Sequence, residues 1–321
     1  MTKSLVIKNF KSIKNLQLDC KRVNVFIGDP NSGKSNILES ISLLNMNEKL
    51  SEYVRFEQVQ QLFFDFDSSL PIEVQIDDYR IKAWIEESEL RIESSLGAKS
   101  PFLLKISLNG TMNSRSHNDS IKDIPKIRSY RFKEDFKLEE AEHDFLNTPF
   151  GDNLASVILY NKDLRAQVQN LLEGLGYKIL VRTYEHHFEI YREHDGFTLS
   201  FPLSLVSDTV KRMIFYLAAI ESNRKSIIVF EEPESNTFPL YIKYLAERIA
   251  SFSENQYFIT THNPYFLQTI IEKTPTNELS INLVEMEHYQ TTVTSLSEGG
   301  VGEILGLNSD VFLNFNKLRG E

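Results

Sequence analysis

The chain has 321 residues, 41% hydrophobic and 25% charged, enough for two ordinary domains or one large α/β domain with an insertion. Its net charge of −10 argues against a globally basic nucleic-acid binder, although a local basic groove stays open. No apolar run reaches the about 18–20 residues of a membrane span, Met1–Phe10 has no signal-peptide core, and the single Cys20 excludes an intramolecular disulfide or a cysteine-rich zinc site and suits a reducing cytoplasm.

Ser4–Phe10 and Leu16–Asp19 read as two strands of a hairpin feeding a third, Val23–Ile27. Between the first two lies Asn9-Phe10-Lys11-Ser12. Lys11 can approach a nucleotide if the hairpin covers the next loop; an ordinary turn beside a core phenylalanine explains the same residues equally well.

Gly28-Asp29-Pro30-Asn31-Ser32-Gly33-Lys34-Ser35 follows and fits G-x-x-x-x-G-K-[ST], with a strand before it and a helix-forming run, Asn36–Leu44, after it. Gly28 and Gly33 let backbone N–H groups turn toward an anion, and the helix N-terminus adds partial positive charge. Lys34 suits β- and γ-phosphates, and the Ser35 hydroxyl suits Mg²⁺.

Beyond the helix, Tyr53, Phe56, Leu62, Phe63, Phe64 and Phe66 read as core, while Gln58, Gln60 and Gln61 fit either a solvated helix face or a place near a metal. Strands are expected at Ile72–Ile76, Arg80–Ile85, Leu90–Ser94 and Phe102–Leu108, with a hairpin turn at Asn109-Gly110 and a polar loop over Asn113–Lys126. Ile127–Phe132 alternates like another strand, and Thr148-Pro149-Phe150-Gly151 reads as a turn. Asp152-Asn153 then caps a helix from Leu154, and Asp163–Leu175 forms a second, amphipathic through Leu164, Val168, Leu171 and Leu172. Tyr177–Thr183, His187–Tyr191 and Phe197–Phe201 read as strands, with His186 and His187 facing opposite ways and so no paired metal site. No heptad pattern is sustained up to Phe201, which removes a long coiled-coil arm.

Within Leu203–Ile220 a helix is expected to begin at Ser207 and Asp208, as N-cap and first-turn acid, with Met213, Ile214, Leu217 and Ile220 along one stripe. Ser207 can hold an anion over exposed N–H groups, or simply cap the helix. Ile227–Phe230 is a buried strand that ends in Glu231 and Glu232. After a phosphate-binding loop, such a pair suits a metal-shell acid followed by a base for an attacking water. Tyr257–Thr261 is a further apolar strand, and His262 at its end suits a γ-phosphate or a lytic water.

Taken together, GDPNSGKSN, LVSDTVKR, IIVFEEPES and ITTHNP resemble the ATP-binding-cassette (ABC) type of P-loop ATPase, closest to the RecF-like and overcoming-lysogenization-defect-like branch, which includes many bacterial AAA ATPases. The resemblance covers nearly the whole chain and is weakest from Leu70 to Leu199. It implies an α/β fold: one ABC-type head over residues 1–321, with a mixed P-loop sheet, an N-terminal antiparallel β subdomain and an inserted α+β lobe at 70–199. It implies ATP and Mg²⁺ held at Gly28–Asn36, Ser35 and Glu231, with Phe10-Lys11-Ser12 beside the nucleotide. Glu232 would be the catalytic base and His262 the switch histidine. Ser207, with Asp208 after it, would be the signature serine that meets the γ-phosphate held by a second subunit, and Glu234-Ser235-Asn236 the loop that meets the partner. Departures from the pattern are Pro30-Asn31 in the loop, Thr209 for glycine, Glu231 for aspartate and Phe238 for histidine.

The resemblance further implies an ATP-hydrolysing switch in the cytoplasm that forms an ATP-dependent homodimer or higher homo-oligomer and works beside a nuclease or toxin in anti-phage defence. The chain ends at Glu321 without room for a Toprim nuclease domain, so the effector is expected as a separate protein. Two other functions compete: a RecF-like repair ATPase with Arg128, Arg131, Lys133 and Lys137 lining a DNA groove, and an ATP-sensing scaffold with little hydrolysis.

Overall fold

The computed structural model describes residues 1–45, 49–97, 99–108, 112–117, 124–133, 144–182, 187–307, 311–312 and 314. In chain order the first half carries β1 (Ser4–Phe10), β2 (Ile13–Asp19), β3 (Val23–Ile27), α1 (Lys34–Leu43), a single turn α2 (Leu50–Tyr53), β4 (Ile72–Ile76), β5 (Tyr79–Glu86), β6 (Glu89–Leu96), β7 (Lys99–Ser107), β8 (Met112–His117) and β9 (Ile127–Tyr130). The second half carries α3 (Leu154–Tyr160), α4 (Lys162–Glu173), β10 (Lys178–Arg182), β11 (His187–His194), β12 (Phe197–Pro202), α5 (Asp208–Ser222), β13 (Ile227–Glu231), α6 (Pro239–Ser251), β14 (Gln256–Thr260), α7 (Pro264–Lys273), β15 (Leu279–Glu287), β16 (Gln290–Ser295) and α8 (Glu298–Leu307).

These strands make three sheets. One is antiparallel, in the order β2-β1-β4-β5-β6-β7-β8; a second is mixed, β16-β15-β3-β14-β13-β9; the third is the small antiparallel β10-β11-β12. In the mixed sheet β3 lies between β14 and β15, parallel to both, and all five of its residues are buried. A strand covered on both faces needs an unbroken apolar run, and Val23–Ile27 supplies one except at Asn24. Asn24 meets its polar needs locally, accepting from the Lys21 N–H and donating to the Lys21 and Tyr257 carbonyls.

Helix α1 is the joint between sheets. Ile37, Leu38 and Ile41 pack with Leu5 and Ile7 of β1 and Val74 of β4 on one side, and with Phe26, Val229 and Phe258 of the mixed sheet on the other. The opposite face of the mixed sheet, through Val25, Ile228, Phe230 and Ile259, packs on α3 to α7. The expected stretch 70–199 is shared among all three sheets: β4 to β8 extend the sheet begun by β1 and β2, β9 edges the mixed sheet, and β10 to β12 stand apart.

Several expectations are corrected. β2 starts at Ile13, three residues early, and Met112–His117 is a strand where a loop was expected; 118–123 and the Asn109-Gly110 turn lie outside the described residues, as does His186. Phe66 is exposed, because Asp65 and Phe66 adopt positive φ and turn the chain outward. Asn153 makes no cap bond to its helix; its amide instead accepts from the Asn147 N–H and donates to the Phe145 carbonyl, pinning the turn before it. Helix α5 shows no single stripe. It is buried almost all round, because α3, α4 and α6 enclose it, and even its Glu221 is buried against Arg248.

Candidate functional site

The parallel register places Glu231 beside Thr260, and Thr260 beside Phe26, so β13, β14 and β3 end along one edge of the mixed sheet. Loops that leave the carboxyl ends of parallel strands meet there, the usual place for a ligand in such sheets. The loop after β3 turns through Gly33 at φ 99° directly into α1. A Cβ on Gly33 would sit 1.9 Å from Thr291 Oγ1, and one on Gly28 2.1 Å from the Val284 carbonyl oxygen. Both glycines are therefore required by close approach from β15 and β16, and Gly33 by its left-handed backbone as well.

The loop is tied down from behind. Thr291 donates its backbone N–H to the Ser12 carbonyl (2.8 Å) and its hydroxyl to the Ser32 carbonyl (3.0 Å). With that proton used, the 2.6 Å contact between the Ser12 and Thr291 hydroxyls has Ser12 as donor, while Ser12 accepts from Asn36 Nδ2 at 2.7 Å. Thr291 is 259 residues from Ser32, so no local sequence signal could have found it.

Lys34 is only 6% exposed and donates to the carbonyls of Gly28 (3.0 Å) and Asp29 (2.7 Å) and to Ser32 Oγ (3.3 Å). Burial pulls its pKa down, with Glu232 and Asp29 opposing. An ammonium held by neutral oxygens inside a ring of backbone is a cradle with spare positive charge, suited to an anion. An open cleft of about 450 Å³ lies over it, lined by Pro30, Asn31, Gly33, Lys34, Ser35 and Asn36 from the loop and by Arg55, Glu232, Thr260 and His262.

Glu232, just past β13, has φ 43°, a conformation that costs energy for a non-glycine residue. Its N–H is shared between Thr260 O (3.1 Å) and Thr260 Oγ1 (3.2 Å), which hold it there. One carboxylate oxygen accepts from the Ser235 hydroxyl (3.1 Å); the other is 3.4 Å from His262 Nε2. Burial and the nearby Lys34 push the His262 pKa below the usual histidine value, while Glu232 and Asp29 pull the other way, so the imidazole is neutral at pH 7.

Other expected site residues lie elsewhere. The Lys11 ammonium is outside the cleft lining, bound to Glu39 and to the Arg55 carbonyl, and burial lowers its pKa. Glu39 is a buried acid on α1 that also takes Arg55 Nε at 2.5 Å. Both oxygens of Glu231 are engaged, with Arg55 at 3.0 Å and Arg131 at 3.5 Å, and its side chain faces a cavity of about 30 Å³ beside Ser42 and Ser129. It is thus one ion pair away from the cleft. None of Gln58, Gln60 and Gln61 lines the cleft; Gln61 accepts from the Glu57 and Gln58 N–H groups in a local cap. Arg55 and Thr260 do line it, and sequence reasoning missed both. Arg55 sits in an irregular segment with no motif around it.

Ser207 and Asp208 belong to a different surface. Ser207 is the N-cap of α5 by position, yet its side chain makes no cap bond, and it lines an apolar groove of about 460 Å³ with Tyr177, Phe201, Leu205, Phe238 and Tyr241. Asp208 turns to Lys211 at 2.7 Å, which holds its carboxyl below the usual range. The loop thought to face a partner is divided: Asn236 is exposed, but Glu234 is 4% exposed and turned inward. Of the cations expected in a DNA groove, Arg131 is spent on Glu231, Arg128 stacks on Phe145 (3.9 Å) and Lys133 on Phe150 (3.7 Å); Lys137 lies outside the described residues.

Among the described residues no three His, Cys, Asp or Glu side chains come together as a metal site. None of the helices described is long and apolar enough to cross a membrane.

Comparison with known proteins adds the following. Residues 76–268 match the family described as "AAA domain, putative AbiEii toxin, Type IV TA system", and residues 1–150 match "AAA ATPase domain". An ATP/GTP phosphatase of Helicobacter pylori is 21% identical over 324 residues, covering 84% of this chain and 87% of its own. An Smc head bound to the C-terminal winged-helix domain of ScpA superposes with a TM-score of 0.55 at 14% identity, over 94% of this chain and 99% of the other. An Smc head with an extended coiled coil, bound to the C-terminal domain of ScpA from Pyrococcus furiosus, gives 0.51 at 14% identity, over 95% and 98%. At such identities the likeness speaks for the fold alone, that of these heads.

Proposed function

This chain belongs to the AAA domain family described above, and from that premise we propose that it is an ATP-driven switch subunit of the overcoming-lysogenization-defect-like branch, which dimerises around ATP and Mg²⁺ and controls a separate nuclease or toxin effector in anti-phage defence. The protein is an ATPase, converting ATP and water to ADP and phosphate. The observation that carries the reading is the single cleft that joins the glycine loop, Lys34, Glu232 and His262.

In this reading the N–H groups of Asn31 and of Gly33 to Asn36 and the Lys34 ammonium bind the phosphates, with Pro30 beside them and Gly28, Asp29 and Ser32 shaping the loop behind. Ser35 offers a hydroxyl, a hard oxygen donor of the kind Mg²⁺ takes, and would hold the ion together with phosphate oxygens; the Glu231 carboxylate would join it only on release from Arg55 and Arg131. Magnesium supplies charge neutralisation on the phosphates when bound. Glu232, partly open to the cleft, takes the proton from the attacking water. His262, neutral, keeps its ring against Glu232 and faces the same water or the γ-phosphate. Ser207 serves the site of a second subunit, and two features support this: its hydroxyl is not spent on capping, and it opens onto a surface apart from the chain's own cleft.

The experiment is calorimetry and phosphate release with Lys34→Ala. The variant should bind ATP roughly 100-fold or more weakly, since each lost charge-assisted hydrogen bond is worth about 1.5–3 kcal/mol. Unchanged affinity would remove the cleft from nucleotide binding.

A further inference from the structure

Beside the cleft stands a buried acid that the reaction does not use. Glu234 is 4% exposed and stands two residues after the base. Its Oε1 accepts from the Thr261 hydroxyl and lies 3.4 Å from the His262 backbone nitrogen. Its Oε2 is buried and has no hydrogen-bond partner. Burial, with the Glu232 charge adding to it, raises the pKa of this carboxyl to about 7. A carboxyl in such surroundings is costly to keep, since a buried polar atom without a partner is destabilising. Packing alone would be better served by an apolar side chain.

What Glu234 joins explains its presence. The loop after β13 contains the base; the loop after β14 contains His262. Backbone bonds already reach between them at Glu232, through Thr260. Beyond that point Glu234 ties the two loops together: Thr261 uses its hydroxyl hydrogen on Glu234 and its oxygen to accept from the Asn263 N–H (3.0 Å), which starts α7. On its own loop, Glu234 accepts from the Thr237 N–H through its carbonyl (3.1 Å), and Glu232 accepts from the Ser235 N–H in the same way (3.0 Å). The two loops are thereby folded into one unit, with the Glu232 and His262 side chains 3.4 Å apart at its cleft end.

We propose that Glu234 is a positioning residue for ATP hydrolysis: it pins the His262 loop to the Glu232 loop and so sets the histidine against the base. The proposal rests on the reading of Glu232 and His262 as the hydrolytic pair. It gives the inward turn of Glu234 a task in its own subunit, while Asn236 stays exposed.

Three variants test it. Glu234→Ala removes both acceptor bonds, Thr261→Val removes one donor, and with it the acceptor for the Asn263 N–H, while leaving the carboxyl, and Glu234→Gln keeps an acceptor oxygen for both partners. At saturating ATP, kcat should fall by roughly tenfold or more in Glu234→Ala, since small misplacement of a reacting group is expensive, and by about threefold in Thr261→Val. KM and the calorimetric affinity for ATP should stay within about twofold in both, and Glu234→Gln should restore kcat to within about twofold of the parent. Hydrogen exchange at the His262 amide should quicken in Glu234→Ala and Thr261→Val and not in Glu234→Gln. If Glu234→Ala does not give a folded circular dichroism spectrum, Thr261→Val and Glu234→Gln decide. The proposal is overturned if Thr261→Val and the alanine variant turn over at the parent rate, or if Glu234→Gln is as slow as alanine, which would make the charge and not the bond the useful property. Glu232→Gln is the control: normal turnover there would sink the assignment of the base itself, while the exchange measurement would still report whether the pin exists.

Discussion

Two openings of nearly equal size, about 450 and 460 Å³, lie on this head, and their chemistry is opposite. The first is lined by Lys34, Ser35, Asn36, Arg55, Glu232 and His262, and its loop is braced from behind by Ser12 and Thr291. The second is lined by aromatic and aliphatic side chains, with Leu205 73% and Phe238 63% exposed at its rim, and the Ser207 hydroxyl beside them makes no cap bond. A cleft braced by its own chain is ready for a small anionic ligand. The second surface leaves large apolar side chains in water, and its helix-start hydroxyl makes no cap bond. The difference teaches that one chain carries two kinds of opening, one polar and braced by the chain itself, the other apolar and open to solvent.

The largest effect that separates them is expected at Glu232. Glu232→Gln cannot take a proton from water, and should lower kcat roughly 100-fold or more with ATP affinity unchanged by calorimetry. Normal turnover in the variant would pass the role to Glu231 or His262. Both Glu231 oxygens are already paired with arginines, which makes it the poorer substitute.

A smaller and more selective effect is expected at the groove. Ser207→Arg should leave ATP binding by the isolated subunit within about twofold, because its own cleft lies elsewhere, and should weaken ATP-dependent self-association by roughly tenfold or more, read by analytical ultracentrifugation. Mixed with Lys34→Ala protein, it forms heterodimers in which one composite site carries both defects and the other neither, so partial ATPase activity should return. Normal hydrolysis by Ser207→Arg as a monomer would make the groove irrelevant to the reaction.

What could be read in advance follows the same division. The braced cleft was legible at its strand ends, because Val23–Ile27, Ile227–Phe230 and the run before His262 are apolar strands followed at once by reactive residues, and that pattern is local. Its bracing was not legible, since Thr291 reaches Ser32 only through the order of strands in the mixed sheet. Arg55 and Glu39 were missed for a related reason: their pairing crosses from an irregular segment to the helix after the glycine loop, 16 residues away in sequence. Lys11 looked available because a turn lysine normally is; the structure gives it to Glu39. Glu234 misled most. In sequence it belongs to a polar loop, and only burial reveals that it points inward.

The smallest expected effect is a pair of opposite shifts at one histidine, and it tests whether the first cleft is one electrostatic unit. His262 is held below the ordinary histidine pKa first by burial and next by Lys34, with Glu232 pulling upward. Removing a neighbouring cation favours the protonated ring, and removing a neighbouring anion disfavours it. In nucleotide-free protein, Lys34→Ala should therefore raise the midpoint at which the His262 ring titrates and Glu232→Gln should lower it, giving the order Glu232→Gln, parent, Lys34→Ala in an NMR titration of the imidazole. Asp208 provides the reference on the second surface: its carboxyl is held down by Lys211, and neither substitution is near enough to change that pairing. Both midpoints moving together would mean the substitutions disturbed the fold. Neither moving would mean Lys34, Glu232 and His262 do not share a field, and the cleft would lose its claim to act as one site.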